Sequence, residues 1–191
     1  MARRGETRRR MVHSAIGLMQ RRGAAAVTVD AVLADSGAPR GSVYHHFPGG
    51  RDEIVAAALQ ASGDVIGAML TSPGHRGPAE LLDLFVDFWT RQLLDSDFTA
   101  GCPVVGAAVS GPEVDPHLAE LVADIFATWH RTLAAALTES GVDETRARTL
   151  ASTAIAAVEG ALLLSRSQRS MDPLHDVAGE LRTMVEAAIP A

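Results

Sequence analysis

The sequence predicts an all-α protein of about nine helices. Apolar side chains recur every three or four residues through long segments of the chain, as they do on the buried face of a helix. Residues that favour helix starts and helix ends stand at the edges of these segments, for example Asp143 at a start and Gly23 at an end. The segment TSPGHRGP, residues 71–78, holds two prolines and two glycines and interrupts the helical pattern.

The charge of the chain is unevenly distributed. The formal net charge is −6, but residues 1–60 carry nine arginines against five acidic residues, a net charge of +4. The remaining 131 residues carry eight arginines against eighteen acidic residues, a net charge of −10. A basic N-terminal part on an acidic body is typical of a protein that offers one end to phosphates.

The composition also indicates a compartment. The apolar content of 47% is ample for a core, and the single cysteine, Cys102, excludes an intrachain disulfide and fits a reducing compartment. No run of about 18 apolar residues would cross a membrane, and no apolar stretch at the N-terminus suits a signal peptide. We therefore expect a soluble cytoplasmic protein. We interpret Cys102 as a packed residue rather than a redox sensor, since nothing near it in sequence would favour the thiolate.

Two short helices joined by a tight turn are predicted between residues 28 and 47. Thr28 suits an N-cap, because its hydroxyl can accept from an unpaired backbone N–H of the first turn. Gly37 falls where the chain must leave that helix with a positive φ. Pro39 fits the first turn of the next helix, which is expected to end near His46. This arrangement is a helix-turn-helix, with the second helix as the reading helix.

The reading helix has two different faces. Val43 and Phe47 lie four residues apart and are expected to pack inward. The other face carries a cation, hydroxyls and an imidazole, which can donate to phosphate oxygens or base edges, and a glycine that lets the helix approach a groove closely. These outward residues are Arg40, Gly41, Ser42, Tyr44 and His45.

The helix-turn-helix resembles the DNA-binding motif of the TetR/AcrR transcriptional regulators. The family pattern has Ala-Gly-Val-Ser in the turn and Tyr-x-His-Phe at the end of the reading helix, where this chain has SGAP (residues 36–39) and YHHF (residues 44–47). Ala38 replaces the usual valine, and the segment PGGR (residues 48–51) has one glycine more than the common Phe-x-x-Lys spacing. That Gly-Gly form, with the later GCPVV segment, is similar to the LmrA/YxaF-like, or lincomycin-resistance, repressors. The likeness is specific from Thr7 to Leu59 and weaker towards the C-terminus.

The resemblance implies binding to a palindromic operator as a homodimer. It implies that the N-terminal end of the first helix approaches the DNA backbone, and that Arg51 stands where relatives have a phosphate-contacting lysine. Arg40, Ser42 and Tyr44 are the best candidates for base contacts. The complete set of expected DNA contacts is Thr7, Arg8, Thr28, Arg40, Gly41, Ser42, Tyr44, His45 and Arg51.

The other helices flank this motif or form the body. Gly23 ends the first helix, and residues 1–6 before it are predicted to form a frayed basic arm. We predict two domains, a DNA-binding domain over residues 1–51 and a ligand-binding and dimerisation domain over residues 52–191. The helices are expected at about residues 7–22, 52–70, 79–94, 98–112 (short or irregular), 116–137, 143–166 and from 172 onward.

The last two helices carry more apolar surface than one small body can cover. The helix after Asp143 is apolar all round, which predicts burial on all sides. The resemblance implies that these two helices and their symmetry mates form a four-helix bundle. The expected interface residues are Leu150, Ala154, Ala157, Val158, Ala161, Leu164, Leu174, Val177, Leu181, Met184 and Val185.

The body is interpreted as a sensor for a small, largely apolar effector. No catalytic triad, phosphate loop or metal-ligand cluster is recognisable, and Asp83 and Asp87 lack a His or Cys at matching spacing, so we expect no cofactor and no metal. The resemblance implies a cavity among the middle helices, although an apolar core has the same sequence pattern. The candidate ligand residues are Met69, Phe85, Phe88, Trp89, Val105, Val109, Leu121, Ile125 and Trp129, with His130 and Glu159 as polar anchors.

Two other functions stay open at this point. The first is a small-molecule or partner-binding protein that has lost operator recognition, which Arg40 and the basic N-terminal part argue against. The second is an α-helical enzyme, which the absence of clustered acids, bases or nucleophiles disfavours.

Overall fold

A computed structural model of the chain describes residues 2–71, 77–109 and 116–190. In these residues all regular structure is helical, which confirms the all-α fold. Two short 3-10 turns, Ala24–Ala26 and Arg40–Ser42, precede α2 and α3. The helices are α1 (Ala2–Arg22), α2 (Val29–Ser36), α3 (Val43–His46), α4 (Arg51–Leu70), α5 (Pro78–Asp95), α6 (Pro103–Val109), α7 (Pro116–Glu139), α8 (Glu144–Gln168) and α9 (Asp172–Glu186).

The helix ends follow the residues that predicted them. Thr28 Oγ1 accepts from the backbone N–H of Ala31 at 3.1 Å, so Thr28 caps α2. Gly37 has a φ of 63° and ends α2 in the left-handed region. The carboxylate of Asp143 accepts from the N–H groups of the first turn of α8. These local predictions are confirmed.

Two helix predictions are corrected. Helix α1 begins at Ala2 rather than Thr7, because the arginines that precede Thr7 favour a helix as readily as the residues that follow it. The reading helix is α-helical only over Val43–His46, since Arg40–Ser42 form a 3-10 turn in which Ser42 N–H donates to the Pro39 carbonyl at 2.9 Å. Of the short helix expected at 98–112, α6 covers Pro103–Val109, and residues 110–112 lie outside the described residues.

The chain groups into two compact units. Unit 1 comprises Met1–Asp64 and Cys102–Ile125, and unit 2 comprises Val65–Gly101 and Phe126–Ala191. Helices α4 and α7 therefore contribute residues to both units. The division of function between residues 1–51 and 52–191 stays a prediction.

Unit 1 is built on α1, which packs against both α2 and α6. Its buried side chains include Met11, Val32, Val43 and Phe47. The inward face of the reading helix is therefore part of the core of unit 1. Gly63 permits a close helix contact, because a Cβ at this position would lie 3.0 Å from the side chain of Ile125.

Unit 2 is formed largely by α5, α8 and α9, with α9 packed against both of the others. The expectation that α8 is buried on all sides is wrong for the single chain, because Leu163 and Leu164 are 55% and 51% exposed. By length and hydropathy alone, α4 and α8 could each cross a membrane. Core helices of water-soluble proteins often pass the same test, and both helices supply buried side chains to this fold.

Candidate nucleic-acid interface and apolar cavity

The reading helix presents polar side chains outward from an apolar base. Val43 and Phe47 are fully buried, as predicted, whereas Tyr44 is 67% exposed and His45 is also exposed. Gly41 is exposed, and a Cβ at this position would meet no atom of the chain within 4 Å. Packing within the chain therefore does not require glycine at position 41, and the open space in front of it is available to a partner.

Two of the expected base-contacting residues have partners on the same surface. The Arg40 guanidinium donates to the Asp30 carboxylate at 3.1 Å, and both side chains are highly exposed. The Ser42 hydroxyl donates to the Pro39 carbonyl at 2.5 Å. Asp30 is a residue that the sequence did not single out, and its position in the first turn of α2 places an anion beside the cation that is expected to read a base.

The N-terminal part of α1 lies against the reading helix. The Arg8 guanidinium carbon lies 4.9 Å from the centroid of the Phe47 ring, which is within the range of a cation–π contact. Arg8 is otherwise exposed, so its charge stays on the surface. Thr28 is exposed as well, with its hydroxyl engaged in the α2 cap, and Thr7 is half-buried. Arg8 and Thr28 therefore lie on the exposed surface of unit 1 with Tyr44.

Arg51 is used differently from the expected phosphate contact. Its guanidinium donates to the carbonyl of Ala24 at 3.0 Å and to the carboxylate of Asp52 at 3.0 Å. The Gly49 N–H donates to the Glu53 carboxylate at 2.9 Å. Asp52 and Glu53 together place two acidic groups in the first turn of α4. In this conformation Arg51 ties the start of α4 to the turn that follows α1.

Unit 2 contains an apolar cavity lined by four of its helices and by the end of α4. The cavity has a volume of about 60 Å³. Glu159 is the one charged residue among the lining side chains, and it is only 8% exposed. The wall is formed by Ile66, Leu70, Pro78, Leu81, Leu82, Phe85, Trp129, Leu133, Leu137, Leu150, Ala154, Ile155, Val158, Glu159, Leu181 and Val185.

Comparison with known proteins decides the family. The family model "Bacterial regulatory proteins, tetR family" matches residues 12–58, and the model "Transcriptional regulator LmrA/YxaF-like, C-terminal domain" matches residues 78–180. The chain belongs to the TetR family of bacterial transcriptional regulators. The resemblance seen in the helix-turn-helix is thereby confirmed, including the LmrA/YxaF-like subgroup. TetR-family proteins are transcriptional regulators and not enzymes, which removes the enzyme alternative.

Relatives of this TetR-family chain match it over nearly its whole length. The HTH-type transcriptional regulator Rv0196 of Mycobacterium tuberculosis is 40% identical over 189 residues, which are 96% of each chain. The HTH-type transcriptional regulator YxaF of Bacillus subtilis is 27% identical over 97% of this chain and 98% of its own. The crystal structure of a regulatory protein TetR from Rhodobacter sphaeroides has the same fold, with a TM-score of 0.82 at 21% identity over 92% of this chain and 97% of that one.

The cavity contains three of the eleven predicted ligand residues, Phe85, Trp129 and Glu159. Val105, Val109, Leu121 and Ile125 belong to unit 1, whereas every lining residue belongs to unit 2, and Val109 is 80% exposed. The four others lie outside the wall: Met69, Phe88, Trp89 and His130.

Two of these four have clear packing roles. Trp89 is buried, and its ring makes edge contacts with those of Phe85 and Phe88, whose centroids lie 6.2 and 5.1 Å from its own. His130 Nε2 lies 3.0 Å from the Arg148 carbonyl oxygen, which ties α7 to α8.

Six of the eleven expected interface residues are covered by the chain itself. Because a side chain buried within one chain offers little surface to a second, we assign these six to the core: Leu150, Val158, Ala161, Leu174, Leu181 and Val185. Leu150, Val158, Leu181 and Val185 also line the cavity, together with Ala154. Ala157, Val177 and Met184 are half-buried, and Leu164 is exposed. Leu163, which is not among the expected interface residues, is exposed beside Leu164.

The described residues hold no cluster of three or more His, Cys, Asp or Glu side chains suited to a metal ion. Asp83, considered as a metal ligand from its spacing with Asp87, instead forms an ion pair with Arg182, and this pairing raises the pKa of the Arg182 guanidinium. Cys102 is buried in unit 1.

Proposed function

We propose that this TetR-family protein is a ligand-responsive repressor that binds a palindromic operator as a homodimer and is released by a small, largely apolar effector. The observation that carries the proposal is the exposed surface formed by Tyr44, His45, Arg40 and Gly41 on a reading helix whose Val43 is fully buried. Side chains that packing does not require are available for phosphates and base edges. The net charge of +4 over residues 1–60 favours the approach of this part to DNA.

Symmetric DNA recognition requires two reading helices about 34–36 Å apart, one for each half-site. The exposed Leu163 and Leu164 support pairing through α8. Gly160 on α8 and Gly179 on α9 support it too, since a Cβ at either position would meet no atom within 4 Å. A partner helix could therefore approach both helices closely, and an exposed apolar surface of this kind is typical of a subunit interface.

The effector is assigned to the cavity of unit 2. Its wall is apolar except for Glu159, as in many small-molecule sites, where a few polar groups fix the orientation of an apolar ligand. Helix α4 supplies Ile66 and Leu70 to this wall and Arg51 to unit 1, and we assign it the transmission of the signal. A ligand that favours one of two states by about 1–3 kcal/mol would be sufficient for regulation.

The DNA contacts are proposed as Arg40, Ser42 and Tyr44 to bases, and Arg8, Thr28 and His45 to phosphates. Gly41 is proposed to allow close approach, and Thr7 to support the backbone contact of α1. We omit Arg51 from this set, because its guanidinium donates to Ala24 and Asp52. Because its proposed target is DNA, we place the protein in the cytoplasm.

The alternative is a small-molecule binding protein that no longer recognises an operator. Selection of the purified full-length protein on a random duplex library, at one fixed moderate salt concentration, separates the two proposals. An enriched inverted repeat is the expected result, with half-sites one helical turn or a multiple of it apart. A folded, dimeric protein that enriches no sequence would refute operator recognition and favour the alternative.

A further inference from the structure

The cavity in unit 2 combines an apolar wall with one buried carboxyl group. Of the residues that line it, only Glu159 carries a formal charge, and the helix that presents it has no other charged residue between Arg148 and Arg166. At 8% exposure this side chain has lost most of its contact with water. Water therefore screens the charge of this carboxylate poorly, and a cation that enters the cavity is attracted more strongly than it would be at the surface.

We infer that the cavity takes a lipophilic cation, a compact hydrocarbon body that carries one protonated amine or quaternary ammonium group, with Glu159 as its counter-ion. This inference rests on the proposed function, in which the cavity is the effector site. A carboxylate has about four acceptor positions, so it can bind a ligand cation in addition to any partner within the protein. An anionic ligand would instead meet a like charge in a poorly hydrated site.

Two further features of the cavity favour a cation. Phe85 and Trp129 contribute aromatic rings to the wall, and aromatic faces attract cations most strongly where water is excluded. Residues 61–191, which include unit 2, carry a net charge of −10. A field of this sign raises the local concentration of cations near the body and lowers that of anions.

The size of the cavity limits the body of the ligand. Because the open volume is about 60 Å³, a chain of a few carbon atoms fits better than an extended ring system. Burial of such a chain removes its CH₂ groups from water, which favours binding in proportion to the apolar area covered. The wall therefore supplies affinity without selecting a particular head group, and Glu159 supplies the selection.

The test compares three probes with one hydrocarbon body: hexylammonium, 1-hexanol and hexanoate. At pH 7 the amine is protonated, as a lysine side chain is, and the acid is ionised. Binding to the full chain is followed by tryptophan fluorescence, since Trp129 lines the cavity, and by calorimetry at constant ionic strength. We expect hexylammonium to bind about ten- to a hundredfold more tightly than 1-hexanol, as a charge-assisted hydrogen bond predicts, and hexanoate to bind most weakly.

Three variants identify the source of the preference. Glu159→Gln keeps the shape of the side chain and should remove the preference for the cation while leaving 1-hexanol within about threefold of wild type. Glu180→Gln, which neutralises an exposed carboxylate on α9, should leave all three affinities unchanged. Ala154→Phe places a ring in the cavity and should remove the binding of every probe. Circular dichroism checks that each variant is folded.

The outcomes separate this inference from the proposed function. Equal binding of hexylammonium and 1-hexanol, both lost in Ala154→Phe, would overturn the cationic ligand and leave the cavity as the effector site. A cation preference that persists in folded Glu159→Gln would overturn the role of Glu159. Failure of all three probes at millimolar concentration would overturn the inference, while the duplex selection decides operator binding independently.

Discussion

The surface of unit 1 that is proposed to bind DNA and the cavity of unit 2 differ in the solvent exposure of their polar side chains. Tyr44 lies on the outside of the short helix α3 and Arg40 on the 3-10 turn before it, and both side chains are exposed to solvent. Glu159 is enclosed in apolar side chains from four helices and the end of α4. The exposed site can lose a side chain with little effect on folding, whereas the walls of the enclosed site also form the core of unit 2.

The largest expected effect belongs to the exposed surface. We predict that Tyr44→Ala weakens operator binding at least about 30-fold, since a base contact contributes about 1–3 kcal/mol and a dimer loses two of them. Because Tyr44 is 67% exposed, the thermal unfolding midpoint should stay within a few degrees of wild type. Gel shift and calorimetric scans measure the two quantities. Gln60→Ala on α4 is the control, and tight operator binding by Tyr44→Ala would refute the assignment.

A pair of leucines on α8 compares the core with the proposed interface. Leu150→Ala should destabilise the protein by about 2–5 kcal/mol, because Leu150 is 2% exposed and lines the cavity. Leu164→Ala should change folding stability by less than about 0.5 kcal/mol at a fixed protein concentration that populates the monomer. It should raise the dimer dissociation constant about tenfold or more in sedimentation experiments. An unchanged dissociation constant would place the interface elsewhere.

Arg51 distinguishes a structural role from a DNA contact. We predict that Arg51→Ala lowers the free energy of unfolding by about 1 kcal/mol, because the hydrogen bond to the Ala24 carbonyl is lost from a partly exposed position. The dependence of log K on log salt should be unchanged. A slope reduced by about 0.9 for each contact would restore the phosphate role that the family resemblance implies.

Asp30 places a competing anion beside Arg40, a residue that is proposed to contact DNA. In the free protein its carboxylate holds Arg40 at 3.1 Å, and DNA must compete for that guanidinium. Asp30→Asn should tighten binding to unrelated duplex DNA about two- to fivefold, as expected for an exposed ion pair. Asp35→Asn removes an equal charge from α2 and is the matched control. Equal tightening by both variants would indicate net charge alone as the cause.

The smallest effect concerns an ion pair of unit 2. The Arg169 guanidinium donates to Asp97 at 2.7 Å, and this hydrogen bond, aided by the opposite charge, lowers the pKa of the Asp97 carboxyl below its ordinary value of 3.8. A carboxyl with a depressed folded-state pKa stabilises the protein above its unfolded-state pKa. We therefore expect Asp97→Asn to lower the melting temperature slightly at pH 7, with the difference from wild type vanishing as the pH falls through the folded-state pKa of Asp97. Asp176→Asn, which removes an equal charge from α9, is the matched control.

The sequence predicts those features that depend on neighbouring residues. The cap at Thr28, the left-handed Gly37 and the start of α8 after Asp143 are each decided within one or two helical turns. The outward side chains of the reading helix are predictable for the same reason. Tyr44 and Val43 differ in exposure because adjacent residues of an α-helix point about 100° apart around its axis, so that one can face the core and the next the solvent.

The cavity could not be located in the same way. Its wall combines residues as far apart in sequence as Ile66 and Val185, and packing alone decides which apolar side chains border a void. Phe85 and Trp129 line the wall, whereas Val109 has the same apolar character and is 80% exposed. Glu159 is predictable as a candidate functional residue from the sequence, since a single acidic residue in an otherwise apolar stretch of a helix is unusual. The hydrogen bond from Arg51 to Ala24 depends on the fold and had no sequence signal.

Hydrogen exchange of the full chain, with and without the selected duplex, tests whether residues 28–47 bind DNA. We expect slower exchange in peptides that cover residues 28–47 and the N-terminal end of α1. In the peptides of α8 that line the cavity, we expect the duplex to slow exchange no more in the wild-type protein than in the Tyr44→Ala variant at the same duplex concentration. Duplex-dependent protection confined to α5, α8 or α9, with residues 28–47 unchanged, would contradict the assignment of DNA to the exposed surface.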